Sequence, residues 1–246
     1  MSVGQFKIVF AIALSLTGVL IYPTAVQTQS TTPASRNRPA PKDPPPDNQR
    51  EPGGGLNGGG ISSCPTTPKP LTLLLPRQSA QSLTTATHPT FWFYVPYSSQ
   101  DVRSGQFSIL SRDGKKRLYR TYFRLPDRPG IVSVSLPQSP ENTLQEGEFY
   151  QWHVELYCQQ NTNYKPDFAV NGWVQRVPMT PERRRQIDAA QPEIWFDSLD
   201  ALANRLSTSS QDEQIKQSWN NLLKSVDLQE LANEPLVGSV QVVESP

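Results

Sequence analysis

Leu144–Val154 reads LQEGEFYQWHV and runs on without a break into ELYC, ending at Cys158. From Tyr150 the residues alternate. Tyr150, Trp152, Val154, Leu156 and Cys158 share one side of an extended chain; Gln151, His153, Glu155 and Tyr157 share the other. A period of two is the mark of a half-buried strand. Gly147 precedes the run, where the chain has to turn, and glycine tolerates the backbone angles that a tight turn requires. The stretch predicts a strand with its apolar side, Cys158 included, facing a core.

The spacing of Leu144, Gly147, Tyr150, Trp152 and Val154 resembles the tyrosine corner of immunoglobulin-like and fibronectin-type sandwiches, in which a tyrosine at a strand start returns its hydroxyl to backbone just upstream. Upstream and downstream the punctuation agrees. LTLLL (71–75), FWFYV (91–95), FSIL (107–110), LYRTYFRL (118–125), IVSVSL (131–136) and AVNGWVQRV (169–177) are short β-rich runs bounded by Pro, Gly and Asp. Asp113-Gly114 is a hairpin-turn pair. The fold expected is mainly β with α: an immunoglobulin/fibronectin-like antiparallel β-sandwich over 64–178, followed by a small C-terminal helical region over 179–234.

Beyond Val177 the period changes. Thr180-Pro181-Glu182 is a helix start, with a capping hydroxyl, a proline at the first position and an acid near the positive end. Trp195, Leu199, Leu202 and Leu206 recur at helical spacing, as do Ile215, Trp219, Leu222 and Val226, the second set preceded by a Ser210…Glu213 capping box. Asp227…Glu230 could cap a last short helix. Two amphipathic helices joined by STSS form a helical hairpin with Trp195 and Trp219 in its core.

Near the start of the chain Lys7 is followed by IVFAIALSLTGVLI, fourteen residues that make roughly 21 Å of helix against a hydrocarbon core of about 30 Å. That is the layout of a signal peptide, assigned to 1–27 and leaving no stable membrane insertion after cleavage; an uncleaved anchor is the alternative. Residues 30–63 hold seven prolines and six glycines with only Leu56 and Ile61 as sizeable apolar groups, so 28–63 is expected to be a disordered linker. Residues 235–246 are expected to be a flexible tail. An exported chain with two cysteines, Cys64 and Cys158, is expected to pair them, with free thiols or intermolecular pairing as alternatives.

Seen together, LTTATHPTFWFYVPY, PGIVSVSLP, the Tyr150–Trp152 strand, NGWVQRV and the Trp195/Trp219 helices resemble the domain-of-unknown-function family numbered 928, found in secreted cyanobacterial proteins. The resemblance spans roughly Cys64 to Asn233. It implies an exported protein, periplasmic or extracellular, with no activity to carry over, and it favours pairing of the cysteines.

Formal net charge is +1, which argues against a nucleic-acid binder dependent on neutralised phosphates. None of the common hydrolase, zincin or nucleotide-loop motifs is present. Two distant cysteines and two isolated histidines supply too few ligands for a metal, so no catalytic residue, metal or cofactor is expected. His88 before a proline reads as a turn hydrogen bond, His153 as solvated, and Glu146/Glu148 as a turn pair with nothing to raise one pKa. In HPTFWFYVPY (88–97), Phe91, Phe93 and Val95 face one way and Trp92 and Tyr94 the other. Either the helices cover the second face, or Trp92 and Tyr94 lie open. The leading expectation is a non-enzymatic binding or structural module whose partner is an envelope protein or glycan. A carbohydrate-binding module stacking sugars on Trp92, Tyr94 or Trp173 is the alternative, and an envelope enzyme the third reading.

Overall fold

The computed structural model of the chain describes residues 43–52, 64–159 and 165–243. The signal peptide, most of the linker and the last three residues of the tail lie outside the described residues. Ten strands form two sheets: β1 (Thr72–Leu73), β2 (Leu83–Thr84), β3 (Thr90–Val95), β4 (Val102–Ser111), β5 (Arg117–Arg124), β6 (Gly130–Ser135), β7 (Phe149–Cys158), β8 (Phe168–Arg176), β9 (Leu236–Ser239) and β10 (Gln241–Val243). One sheet runs β1-β3-β6-β9 and the other β10-β5-β4-β7-β8-β2. Three α-helices lie between β8 and β9: α1 (Pro181–Asp188), α2 (Trp195–Thr208) and α3 (Glu213–Lys224).

The core between the sheets is aromatic. Phe91 of β3 stands 5.1 Å from Phe107 of β4 and 4.9 Å from Trp152 of β7, ring centre to ring centre. Phe93 meets Phe123 of β5 at 6.0 Å. Phe123 also lies over Gly105 in the next strand, where a Cβ would stand 2.2 Å from its ring, so the close approach requires glycine there. At the head of β7, Gly147 has φ +81°, Leu144 is buried, and the Tyr150 hydroxyl accepts a hydrogen bond from the Gln145 N–H at 3.0 Å. Between β4 and β5 the Asp113 carboxylate accepts from the Ser111 hydroxyl at 2.6 Å and the Lys115 N–H at 3.1 Å, and Gly114 takes φ +70°. Cys158, at the end of β7, is disulfide-bonded to Cys64 with their Cα atoms 5.3 Å apart.

The structure corrects the sequence reading of the sheets, the tail and the linker. The sheets are mixed rather than wholly antiparallel: β2 pairs parallel with β8, and β9 parallel with β6. Parallel pairing needs a long connection, and both pairs have one: β3 to β7 lie between β2 and β8, and β7, β8 and the helices lie between β6 and β9. The tail is not flexible throughout. Leu236–Ser239 extends one sheet, Val240 is buried, and Gln241–Val243 crosses to pair with β5 of the other, so this short segment ties the two sheets together at one side. The linker, too, contains an ordered strap over 43–52. Its Pro45, Asn48 and Arg50 are buried although none is a sizeable apolar group, because hydrogen bonds rather than apolar burial hold it.

Thr180 caps α1, accepting from the Arg183 N–H at 3.2 Å. The cap of α3 is Asp212, not Ser210; its carboxylate accepts from the N–H groups of Gln214 and Ile215 at 2.9 and 3.1 Å. Trp195 and Trp219 are fully buried, and the Trp195 indole donates to the Leu74 carbonyl at 2.8 Å. Phe196 of α2 reaches the inter-sheet core, 5.4 Å from Phe91. Helices and sandwich share one continuous apolar core. No helix among the described residues is long and apolar enough to cross a membrane.

Candidate binding cleft

Where α1 and α2 meet β2 and β3, a cleft of about 220 Å³ opens to solvent, lined among others by His88, Thr90, Met179, Arg184, Asp197 and Asp200. The elements that shape it follow from the caps already described. Thr180 starts α1, which sets Arg184 on the rim; Met179, just before it, is one of the few large apolar side chains left open, 44 % exposed.

Two carboxylates one helical turn apart on α2 enter this wall, and each is a joint. Asp197, in the first turn of α2 where the helix dipole favours an acid, accepts from the Thr84 hydroxyl at 2.7 Å, the Thr85 N–H at 3.1 Å and the Thr85 hydroxyl. It fastens α2 to the end of β2. Asp200 accepts from the Trp92 indole N–H at 3.0 Å and the Asn204 amide at 3.2 Å. Burial raises the Asp200 pKa, and the charge of Asp197 pushes the same way; hydrogen bonds from Trp92, Thr90 and Asn204 oppose it. His88 Nε2 lies 2.9 Å from the Ser139 carbonyl, an acceptor only, so Nε2 carries the proton and Nδ1, 3.0 Å from the Thr87 hydroxyl, accepts. The role is a hydrogen bond to a segment 51 residues away rather than within the turn before Pro89. The cleft thus presents an exposed thioether, a guanidinium and a polar rim to a ligand, while its titratable groups hold the walls together.

The three aromatics proposed as a stacking platform are not available. Trp92, Tyr94 and Trp173 are 5 %, 6 % and 7 % exposed. Trp92 lies under α2, bonded to Asp200, and the Trp173 N–H is held by the Asn48 side chain at 2.7 Å. The helices bring apolar surface that must be buried somewhere, and they bury it on this face. His153 is not solvated. It is partly buried on the outer face of the six-stranded sheet, its Nε2 has no partner, and burial lowers its pKa. Cys64, Cys158 and Asp167 cluster within 4.8 Å, the one grouping of metal-type ligands among the described residues. Both sulfurs are in the disulfide and Asp167 accepts from the Cys158 N–H at 2.9 Å, so no thiolate is offered to a metal.

Asp197, Asp200, Arg184 and Met179 were not singled out from sequence. The two aspartates lie on the polar flank of an amphipathic helix, a position that ordinarily faces water, and their partners on the strands, Thr84 and Trp92, are more than a hundred residues away. A family model described as Domain of Unknown Function (DUF928) matches residues 51–236. No curated protein matches the sequence.

Proposed function

The chain belongs to the DUF928 family, and on that premise we propose that it is an exported, non-enzymatic module of the cell envelope, an immunoglobulin-like sandwich capped by helices, that acts by binding or as structure. The Cys64–Cys158 disulfide carries this reading. A bond joining residues 94 apart in sequence persists in an oxidising compartment and is kept reduced in a cytosol. The strand order supports the immunoglobulin-like part: β5-β4-β7-β8 face β1-β3-β6, β2 runs parallel along β8, and Tyr150 and Trp152 begin the strand that ends at Cys158. The engagement of Asp197, Asp200 and His88 in wall-building bonds supports binding over acid–base chemistry, which needs a carboxyl or imidazole free to exchange its proton with a substrate.

Fractionation of the native cells tests the proposal. The protein is expected in the envelope or extracellular fraction with its N-terminus near residues 26–31 and no free thiol. Recovery of chains that begin at Met1 in the cytosolic fraction, with both thiols alkylatable, would overturn it.

A further inference from the structure

β8 is bonded to β7 along one side, and on its other side β2 reaches only part of its length. The Ser82 carbonyl accepts from the Gln175 N–H at 2.9 Å and the Thr84 carbonyl from the Val177 N–H at 2.8 Å. Nearer the start of the strand the edge is met by the strap. The N–H of Gln49 donates to the Asn171 carbonyl at 3.0 Å, and the Asn171 N–H donates back at 3.3 Å. Two residues further along β8, the Asn48 side chain takes the place of a backbone carbonyl, its Oδ1 accepting from the Trp173 backbone N–H at 2.7 Å. An open strand edge is a template for any extended chain, and here a segment from outside the sandwich has filled it.

Two pockets beside this edge receive alternate side chains of the strap. In the first, the Asn48 amide donates to the Pro76 carbonyl and the Ser82 hydroxyl, each at 2.8 Å. In the second, Arg50 is 2 % exposed, and its Nη1 donates to the Leu75 carbonyl at 3.0 Å and to the Val226 carbonyl at 2.6 Å. Val226 follows α3, so this pocket offers the carbonyl-rich end of a helix, which favours a cation. Burial first, and Arg77 after it, nonetheless lower the Arg50 pKa from its ordinary value, while Glu51, Asp227 and Glu230 pull the other way. Main-chain bonds along an edge with pockets for alternate side chains are the working parts of β-strand addition, in which the edge gives affinity and the pockets give sequence preference.

The strap has the properties of a ligand rather than of a core element. Its sequence, DPPPDNQREP over 43–52, has no sizeable apolar side chain, so the apolar core closes without it. Arg50 is bound imperfectly: Nε and Nη2, adjacent on one edge of the guanidinium, have no partner among the described residues. A buried donor left unmade costs free energy, so the occupant is held less tightly than the number of its bonds suggests. In sequence the strap joins the sandwich through eleven residues, 53–63, of which six are glycine. Asn48, Gln49 and Arg50 also lie just before the region that the family model matches.

We propose that the edge of β8 and its two pockets form a docking groove for an extended polypeptide segment of the pattern Asn-x-Arg, and that the strap is a ligand supplied by the same chain, able to leave while the rest stays folded. A site-specific protease sequence in place of Gly53–Gly60 in the full-length protein makes this testable, since a cut there leaves the Cys64–Cys158 bond untouched. After cleavage of the folded protein, the strap fragment is expected to co-elute with the body at high concentration and to separate on dilution. The stripped body should keep its near-UV circular dichroism and a cooperative unfolding transition. A synthetic peptide of residues 43–52 should rebind it, and the Asn48→Ala and Arg50→Ala peptides should each bind at least tenfold more weakly. Loss of the near-UV signal when the fragment leaves would show the strap to be part of the fold and would overturn the proposal. So would failure of the peptide to rebind, or equal binding by the alanine peptides.

Discussion

The Tyr150 ring is buried at the head of β7 while its hydroxyl takes the N–H of Gln145, so one side chain both packs and closes the turn around Gly147. Tyr150→Phe keeps the ring and deletes the acceptor, and is expected to cost about 0.5–1.5 kcal/mol; urea denaturation measures it, and coincident midpoints with equal slopes would refute the role. Asp200 tests electrostatics at the same scale. Its native pKa is raised above the ordinary value of 3.8, so the folded chain holds that proton more tightly than the unfolded one. The resulting stabilisation is fully present below about 3.8 and is lost as pH climbs through the raised native value. At neutral pH a charged carboxylate is then buried at a cost. Asp200→Asn keeps an acceptor for Trp92 without the charge and is expected to be at least as stable as the parent at pH 7, the advantage shrinking toward pH 4. Melting temperatures of both proteins across that range check this; parallel curves would contradict it. Tyr150 was legible in sequence because its partner is five residues away, whereas Asn48 and Arg50 bond to groups 25 to 176 residues distant and Asp200 takes the Trp92 indole from 108 residues away.

The elements were legible where a period ran long enough to be read. β7 and β6 alternate over ten and six residues, β3 is an unbroken aromatic-rich run, and α2 and α3 repeat their apolar positions over three turns or more. β1, β2, β9 and β10 are two to four residues long, too short for a period, and their pairing comes from what they lie beside. The tail did carry one usable signal: Val237, Val240, Val242 and Val243 are β-branched residues suited to a strand. Capping shows the same limit at a helix end. Ser210 and Asp212 are both acceptable caps by type, and only the chain's path gives the role to Asp212. Asp212→Ala is expected to lower stability by about 1 kcal/mol, while Ser210→Ala should stay within about 0.5 kcal/mol of the parent. Thermal or chemical denaturation separates the two, and a larger loss from Ser210→Ala would restore the capping box to that residue.

For the whole molecule, the sandwich was readable because one strand turn and several alternating strands define inner faces, but its coverings were not. The helices shield Trp92, the strap shields the edge of β8, and the tail spans both sheets; each relation joins segments whose own sequences are silent about one another. The disulfide is the exception, since an even cysteine count behind a stretch that reads as a signal peptide already pointed to it. It encloses β1 to β7, three strands of the four-stranded sheet and four of the six-stranded one, within one covalent loop. For cysteines separated by 94 residues the chain-entropy treatment gives roughly 4–5 kcal/mol, an upper figure because residual structure in the unfolded chain reduces it. Against a domain stability of about 5–15 kcal/mol that is a large share. Reduction is therefore expected to lower the melting temperature sharply, and Cys158→Ala should do the same without reductant and show no further fall when reductant is added. Alkylation of unreduced, denatured protein from the native compartment, followed by mass measurement, checks the premise: no alkyl group should be added, and the addition of two would mean that the bond is not made where the protein works.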